Sequence, residues 1–231
     1  MPFKTLTHSI ILAALLHLSP AYANTPDISP EPVSGETIIF DVYRGEDTHF
    51  GTHRIAFSRD GQDLISQIDI DLRAGIGPIT VFRYQHQSTE RWSDGRLIEL
   101  SNRTLKDGEA YTLEAHLTPE GLSVTGKTPE GEPVSEVYRA PFLPSSHWHG
   151  YPVDLQSMIN TEHGTPMETE ITYLGQAQIE ADGQMIQAHH FRLQSTLTLD
   201  LWYDMNGRWA GCAFEARNQS IRYVRRANPL G

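Results

Sequence analysis

Histidines and carboxylates are the residues of this chain that could move protons or hold a metal. Among the 11 histidines, His147 and His149 flank Trp148 and would share one strand face, His49 and His53 could share another, and His189 and His190 are adjacent. Metal ligation needs three or four converging donors. No spacing joins any of these pairs to a third ligand, so neither a metal nor another cofactor is expected. Ser145, Ser146 and His147 lie together in a proline-flanked loop, but the chain has no Gly-x-Ser-x-Gly elbow and no parallel βαβ pattern to hold a nucleophile. The carboxylates carry more. Along the strand from Phe82, the even positions Phe82, Tyr84, His86, Ser88, Glu90 and Trp92 line one face, running from aromatic to polar. His86 and Glu90 would stand about 13 to 14 Å apart at roughly 3.4 Å per residue. That is too far for direct proton exchange, so acid–base chemistry would need Asp200 or Asp204 from another strand. The plainer expectation for Glu90 is an ion pair with a neighbouring arginine.

Trp92, Trp148, Trp202 and Trp209 each sit beside a polar residue near a turn or strand end, where an indole covers the mouth of a core or a bound apolar ligand. A concave sheet face lined by Phe82, Tyr84, Trp92, Leu199, Leu201 and Trp202 would suit a lipid-like or other apolar small molecule. The missing catalytic signatures favour a non-enzymatic binding or carrier module of that kind. The alternatives are a hydrolase or isomerase working through His86, Glu90, Asp200 or Asp204 in the same concavity, and a structural envelope component that adds strands to a partner through an exposed edge.

The elements that must position these residues are strands. Seven turn signals punctuate the chain: Asp60-Gly61, Asp94-Gly95, Asp107-Gly108, Glu120-Gly121, Glu130-Gly131, Asp182-Gly183 and Asn206-Gly207. Asp-Gly and Asn-Gly accept the positive φ angles of a tight hairpin, and Glu-Gly serves a slightly longer one. Between them the sequence alternates with the period of a half-buried strand, as in Ile38, Phe40 and Val42 or Tyr111, Leu113 and Ala115. Between Pro152 and Gly164 the residues Val153, Leu155, Met158 and Ile159 recur at helical spacing, which predicts one short helix. The fold class is therefore all-β with one short helix: a strongly curved antiparallel sheet or partly closed barrel of about 10 to 13 strands. Residues 37–226 form a single domain with no internal linker, and 227–231 form a C-terminal tail.

Residues 1–23 have the pattern of a secretory signal, with Lys4, the apolar run Ile10 to Leu16 and the small-residue triplet Ala21-Tyr22-Ala23, after which cleavage is expected. Residues 24–36, rich in proline and acid, should be a disordered or extended leader. The rest has no stretch apolar enough to span a membrane, so a soluble periplasmic or secreted protein is expected. Cys212, the only cysteine, lies far from the cleavage site, which excludes a lipid anchor there and any internal disulfide. A formal net charge of −11 repels phosphate backbones, so nucleic acid is not expected as a partner.

The segments Val42-Tyr43-Arg44-Gly45, Gly51 to Phe57, Tyr84 to Trp92 closing on Asp94-Gly95-Arg96-Leu97, and Leu201-Trp202-Tyr203-Asp204 with Gly207-Arg208-Trp209 resemble a family of exported bacterial proteins known only as a domain of unknown function. Ser88-Thr89-Glu90-Arg91-Trp92 and Trp202-Tyr203-Asp204 are the most specific parts. The resemblance covers about residues 37–224 and implies export and a β-rich fold; it transfers no catalytic residue. By layout alone the chain also resembles the curved-sheet carriers that move lipoproteins across the periplasm.

Overall fold

The computed structural model describes residues 25–76, 79–139 and 142–227. The expected signal segment and most of the C-terminal tail lie outside the described residues. Two antiparallel meanders build the molecule. The first runs through β1 (Thr37–Arg44), β2 (Thr48–Asp60), β3 (Asp63–Ile76), β4 (Ile79–Ser93), β5 (Arg96–Lys106), β6 (Glu109–Thr118), β7 (Gly121–Lys127) and β8 (Pro133–Tyr138). The chain then crosses back through the short strands β9 (Leu143–Pro144), β10 (Ser157–Ile159) and β11 (Pro166–Glu168), which form a sheet of their own. The second meander is β12 (Glu170–Ala181), β13 (Gln184–Gln194), β14 (Thr198–Asp204), β15 (Trp209–Ala216) and β16 (Gln219–Arg225).

Pairing of β16 with β1 joins the two meanders into one curved 13-stranded sheet of order β12-β13-β14-β15-β16-β1-β2-β3-β4-β5-β6-β7-β8, which does not close. All seven glycine turn signals fall between consecutive strands of this sheet. At Asp94, Asp107 and Asp182 the aspartate itself takes positive φ, between 49° and 55°, beside a glycine that does the same. Such turns match the right-handed twist of the flanking strands. The alternating residues then deliver one continuous core on the concave face, from Ile38, Phe40 and Val42 through Ile55, Ile68 and Leu113 to Leu201 and Tyr203.

One expectation is corrected. No helix forms over 152–164 or elsewhere among the described residues: Pro152 to Asp154 lie in turns, and Met158 and Ile159 are fully buried in β10, where their apolar surface is covered by strand pairing and the core. Short apolar runs serve either periodicity, and here tertiary burial decides. The segment 25–36 carries no strand, and it packs: Ile28 is buried against Gly150, where any Cβ would come 2.5 Å from the Ile28 side chain.

One irregularity sets the geometry of the interior. Val42 opposes Gly51 and Tyr43 opposes His49, so Phe50 is an extra residue, a β-bulge. The bulge resets the alternation of β2, putting Phe50 and His53 on the same concave face although three positions separate them. Gly51 has φ 153° and lies so near β3 that a Cβ would sit 2.0 Å from the Asp71 carbonyl oxygen. Only glycine fits.

Candidate functional site

The concave face and the returning segment enclose a cavity of about 570 Å³. Its walls are apolar, with Phe50 and Phe82 stacked 5.4 Å apart and Leu72, Leu199, Phe214 and Met158 around them. It opens among the turns at one end of the barrel-like sheet, where Val81 and Leu197 line it and remain exposed. Three cations at this end each lie over an aromatic ring: Arg44 over Phe50 at 6.0 Å, Lys106 over Tyr84 at 5.9 Å and Arg217 over Phe82 at 5.1 Å. Lys106 is paired with Glu162 at 3.1 Å and Arg217 with Asp107 at 3.2 Å.

The floor is polar and built from two sources. β2 and β4 supply His53 and His86, both aligned with Ile70 of the intervening β3. The returning segment supplies Ser146 and His147, the latter held at φ 65°. His86 is anchored through Nδ1 to the Thr104 hydroxyl at 2.8 Å and through Nε2 to the Ser88 hydroxyl at 3.2 Å. The Nδ1 of His147 meets the Tyr151 hydroxyl at 2.8 Å. His53 stands edge-on to Trp209 at 5.3 Å and to Tyr223 at 5.8 Å, and neither ring nitrogen has a hydrogen-bond partner among the described residues. The buried Ser146 hydroxyl is likewise without one. Burial holds all three imidazoles neutral, lowering the pKa of His53 to about 3, of His86 to about 4 and of His147 to about 3.

Below the floor lies an aromatic plug. Trp148 packs edge-on against Phe57 at 5.0 Å and Trp92 at 5.5 Å. Glu90 is 0% exposed inside this plug. Its Oε2 accepts from the Trp148 indole at 2.8 Å, the Ser66 hydroxyl at 3.0 Å and the Trp92 indole at 3.1 Å. The expected arginine partner is absent: Arg91, next in sequence, points the other way to Asp60, Asp63 and Glu99. His149 lies against Trp92 with both ring nitrogens facing carbonyl oxygens, Gly150 at 2.6 Å and Pro144 at 3.0 Å. Only an imidazolium could donate to both. Burial pushes the His149 pKa down, against the pull of Glu90 and the two carbonyls.

The site residues expected from sequence therefore separate. Phe82, Tyr84 and Leu199 line the cavity, as does His86. Leu201 is buried in the core and Trp92 belongs to the plug. Trp202 and Asp200 lie on the outer face, because the inward positions of β14 are Leu199, Leu201 and Tyr203. There Trp202 stacks on His190 at 4.7 Å, and Asp200 accepts from Arg192 and His190. Glu90 and Asp200 thus occupy opposite faces of the sheet, and the two cannot share a substrate. Asp204 is structural: it accepts from the Asn206 and Arg208 amides of its turn and pairs with buried Arg225 at 2.9 Å. His49 also departs from expectation. The bulge turns it outward to Asp41, away from His53.

The profile of the family described as Domain of unknown function (DUF6134) matches residues 40–226. The chain belongs to this family. This DUF6134 chain is also similar to a solved structure from Brucella abortus, described as a beta-barrel-like protein of Domain of Unknown Function DUF1849. The two share 13% identity and a TM-score of 0.58, over 82% of this chain and 94% of that one, a likeness of fold. No curated relative matches. No helix among the described residues of the DUF6134 chain is long and apolar enough to cross a membrane. Nor do they bring three or more His, Cys, Asp or Glu side chains together in a group that could hold a metal. The cavity-lining residues that sequence reading left outside the expected site include His53, Ser146 and His147. Gly51 inside a strand pattern is the one signal that could have pointed to His53, since an isolated strand glycine marks a bulge or a close backbone approach.

Proposed function

We propose that the protein is an exported binding or carrier module that takes an apolar, lipid-like molecule into the hollow of its sheet. The observation that carries this reading is the cavity itself: about 570 Å³, walled by aliphatic and aromatic side chains and open at one end past exposed Val81 and Leu197. That size falls within the range of about 300 to 1,000 Å³ typical of small-molecule sites. Folding ordinarily fills such space with side chains, because an apolar void forfeits contacts on every wall. Export rests on the pattern of residues 1–23, and a periplasmic or secreted location follows from it.

Native mass spectrometry of the protein taken from its own envelope fraction tests both parts. The expected result is a chain beginning at Asn24 that carries an additional apolar mass, released by organic solvent. A chain of full length recovered from the cytoplasm would overturn the export half. A ligand-free protein that also takes up no 1-decanol or decanoate on titration would overturn the binding half.

A further inference from the structure

The floor of the cavity asks for a hydrogen-bonding partner of a particular kind. His53 is 4% exposed and Ser146 is 6% exposed, both line the cavity, and their Nδ1, Nε2 and Oγ atoms all lack partners among the described residues. About 90% or more of buried polar groups in folded proteins are hydrogen-bonded, because an orphan pays its desolvation without return. Two such residues in the lining of one cavity mark a place where something else completes the set. The His53 ring packs edge-on against Trp209 and Tyr223, and the neighbouring His86 and His147 rings are tied by their own hydrogen bonds. The floor is a preformed surface.

Its charge state narrows the partner. Burial keeps His53, His86 and His147 neutral, and it pushes the nearby Cys212 thiol up, away from ionisation. The cations that line the cavity, Arg44, Lys106 and Arg217, belong to the mouth. A carboxylate or an ammonium taken to the floor would lose its water and meet no counter-charge. A neutral imidazole offers one donor and one acceptor, and a serine hydroxyl offers both roles. That set matches an uncharged oxygen-bearing group.

We propose that His53 and Ser146 form the head-group subsite of this cavity, which takes an amphiphile head first through an uncharged hydrogen-bonding group such as a hydroxyl or amide, the apolar tail running out past Val81 and Leu197. The inference rests on the cavity being a ligand site.

Titration of the purified protein with 1-decanol and with decanoate near pH 7, followed by tryptophan fluorescence, tests it. Decanol is expected to bind about tenfold more tightly than decanoate, the worth of one or two net hydrogen bonds. His53→Phe keeps the ring packing and deletes both nitrogens. It should weaken decanol about tenfold, change decanoate by less than about twofold, and leave the melting temperature equal or higher, since it removes two orphan polar atoms. Ser146→Ala should act in the same direction on decanol. Decanoate binding at least as tightly as decanol and lost in Arg44→Ala would overturn the inference in favour of a head group held at the mouth, while leaving the cavity reading intact. Decanol affinity unchanged in both floor variants would overturn it as well. Binding of neither probe would remove the cavity reading and this subsite together.

Discussion

Around Glu90, at the deep end of the concavity, one carboxylate oxygen takes two indoles and a hydroxyl, and nearby Asp204 takes two turn amides and the guanidinium of Arg225. At the mouth the walls are apolar, Val81 and Leu197 stay exposed, and the cations lie over aromatic rings. The deep end resembles a conventional core with a buried polar network, whereas the mouth has surface left uncovered among the described residues. Between them lies the floor, whose orphan polar residues line the cavity, unlike Glu90, whose Oε1 also lacks a partner among the described residues but is sealed in the plug. The contrast teaches that the hollow does not follow from residue type, since aromatics line both ends: the deep indoles pack edge-on against each other, whereas Phe50 and Phe82 stack as part of a wall beside open volume.

Acid should disturb the floor most. The folded pKa values of His53, His86 and His147, about 3, 4 and 3, lie below the ordinary 6.5, so the unfolded chain takes up protons that the folded chain refuses. The stability they contribute is complete above about pH 6.5 and is lost as the pH falls toward 4, by about 1.4 kcal/mol per pH unit for each histidine. Urea titrations at a series of pH values would show this, and a midpoint that stays flat down to about pH 5 would contradict it.

Gly51→Ala attacks the bulge that lets β2 serve both the mouth and the floor. With a Cβ 2.0 Å from a backbone oxygen, the strand must shift, and a loss of about 4 kcal/mol or failure to fold is expected. Glu90→Leu strips the deep end of the acceptor for three donors and should cost about 3 kcal/mol in denaturant titrations, with Glu90→Gln costing less because an amide oxygen remains. Phe82→Ala is the matching change at the mouth. It should lower stability by only about 1–2 kcal/mol while weakening decanol about tenfold, a split opposite to that of Glu90→Leu. Trp202→Ala on the outer face is the control, with a stability change below about 1 kcal/mol and decanol affinity within about twofold of the parent. Equal effects of Phe82→Ala and Trp202→Ala on binding would erase the distinction between the two faces.

Much of the fold was legible because its determinants are local. Every Asp-Gly, Glu-Gly and Asn-Gly signal became a hairpin, and the two-residue period assigned inward residues such as Phe40, Leu113 and Leu201. Other turns carry weaker signals. Arg217 and Asn218 adopt φ of 51° and 59° in the β15–β16 turn without a glycine, a conformation the sheet imposes. The site was legible only where strand alternation ran unbroken, as from Phe82 to His86. Register shifts hid the rest: a single extra residue at Phe50 moved His53 inward and His49 outward, and alternation counted along the sequence cannot see that. Ser146 and His147 reach the floor on a segment with no periodicity, positioned by Tyr151 of the same segment and by Ile28 and Tyr203 from distant parts of the chain.

The seam between the two meanders bears on how the molecule is made. β1 has β2 on one side and on the other β16, which lies far along the chain, so one of its edges stays bare until that strand has been made. Because such distant pairing is slow to find, the half-made protein would present β1 as an open template to other chains. A holding chaperone, or passage through a membrane pore before folding, would keep that edge from the wrong neighbour.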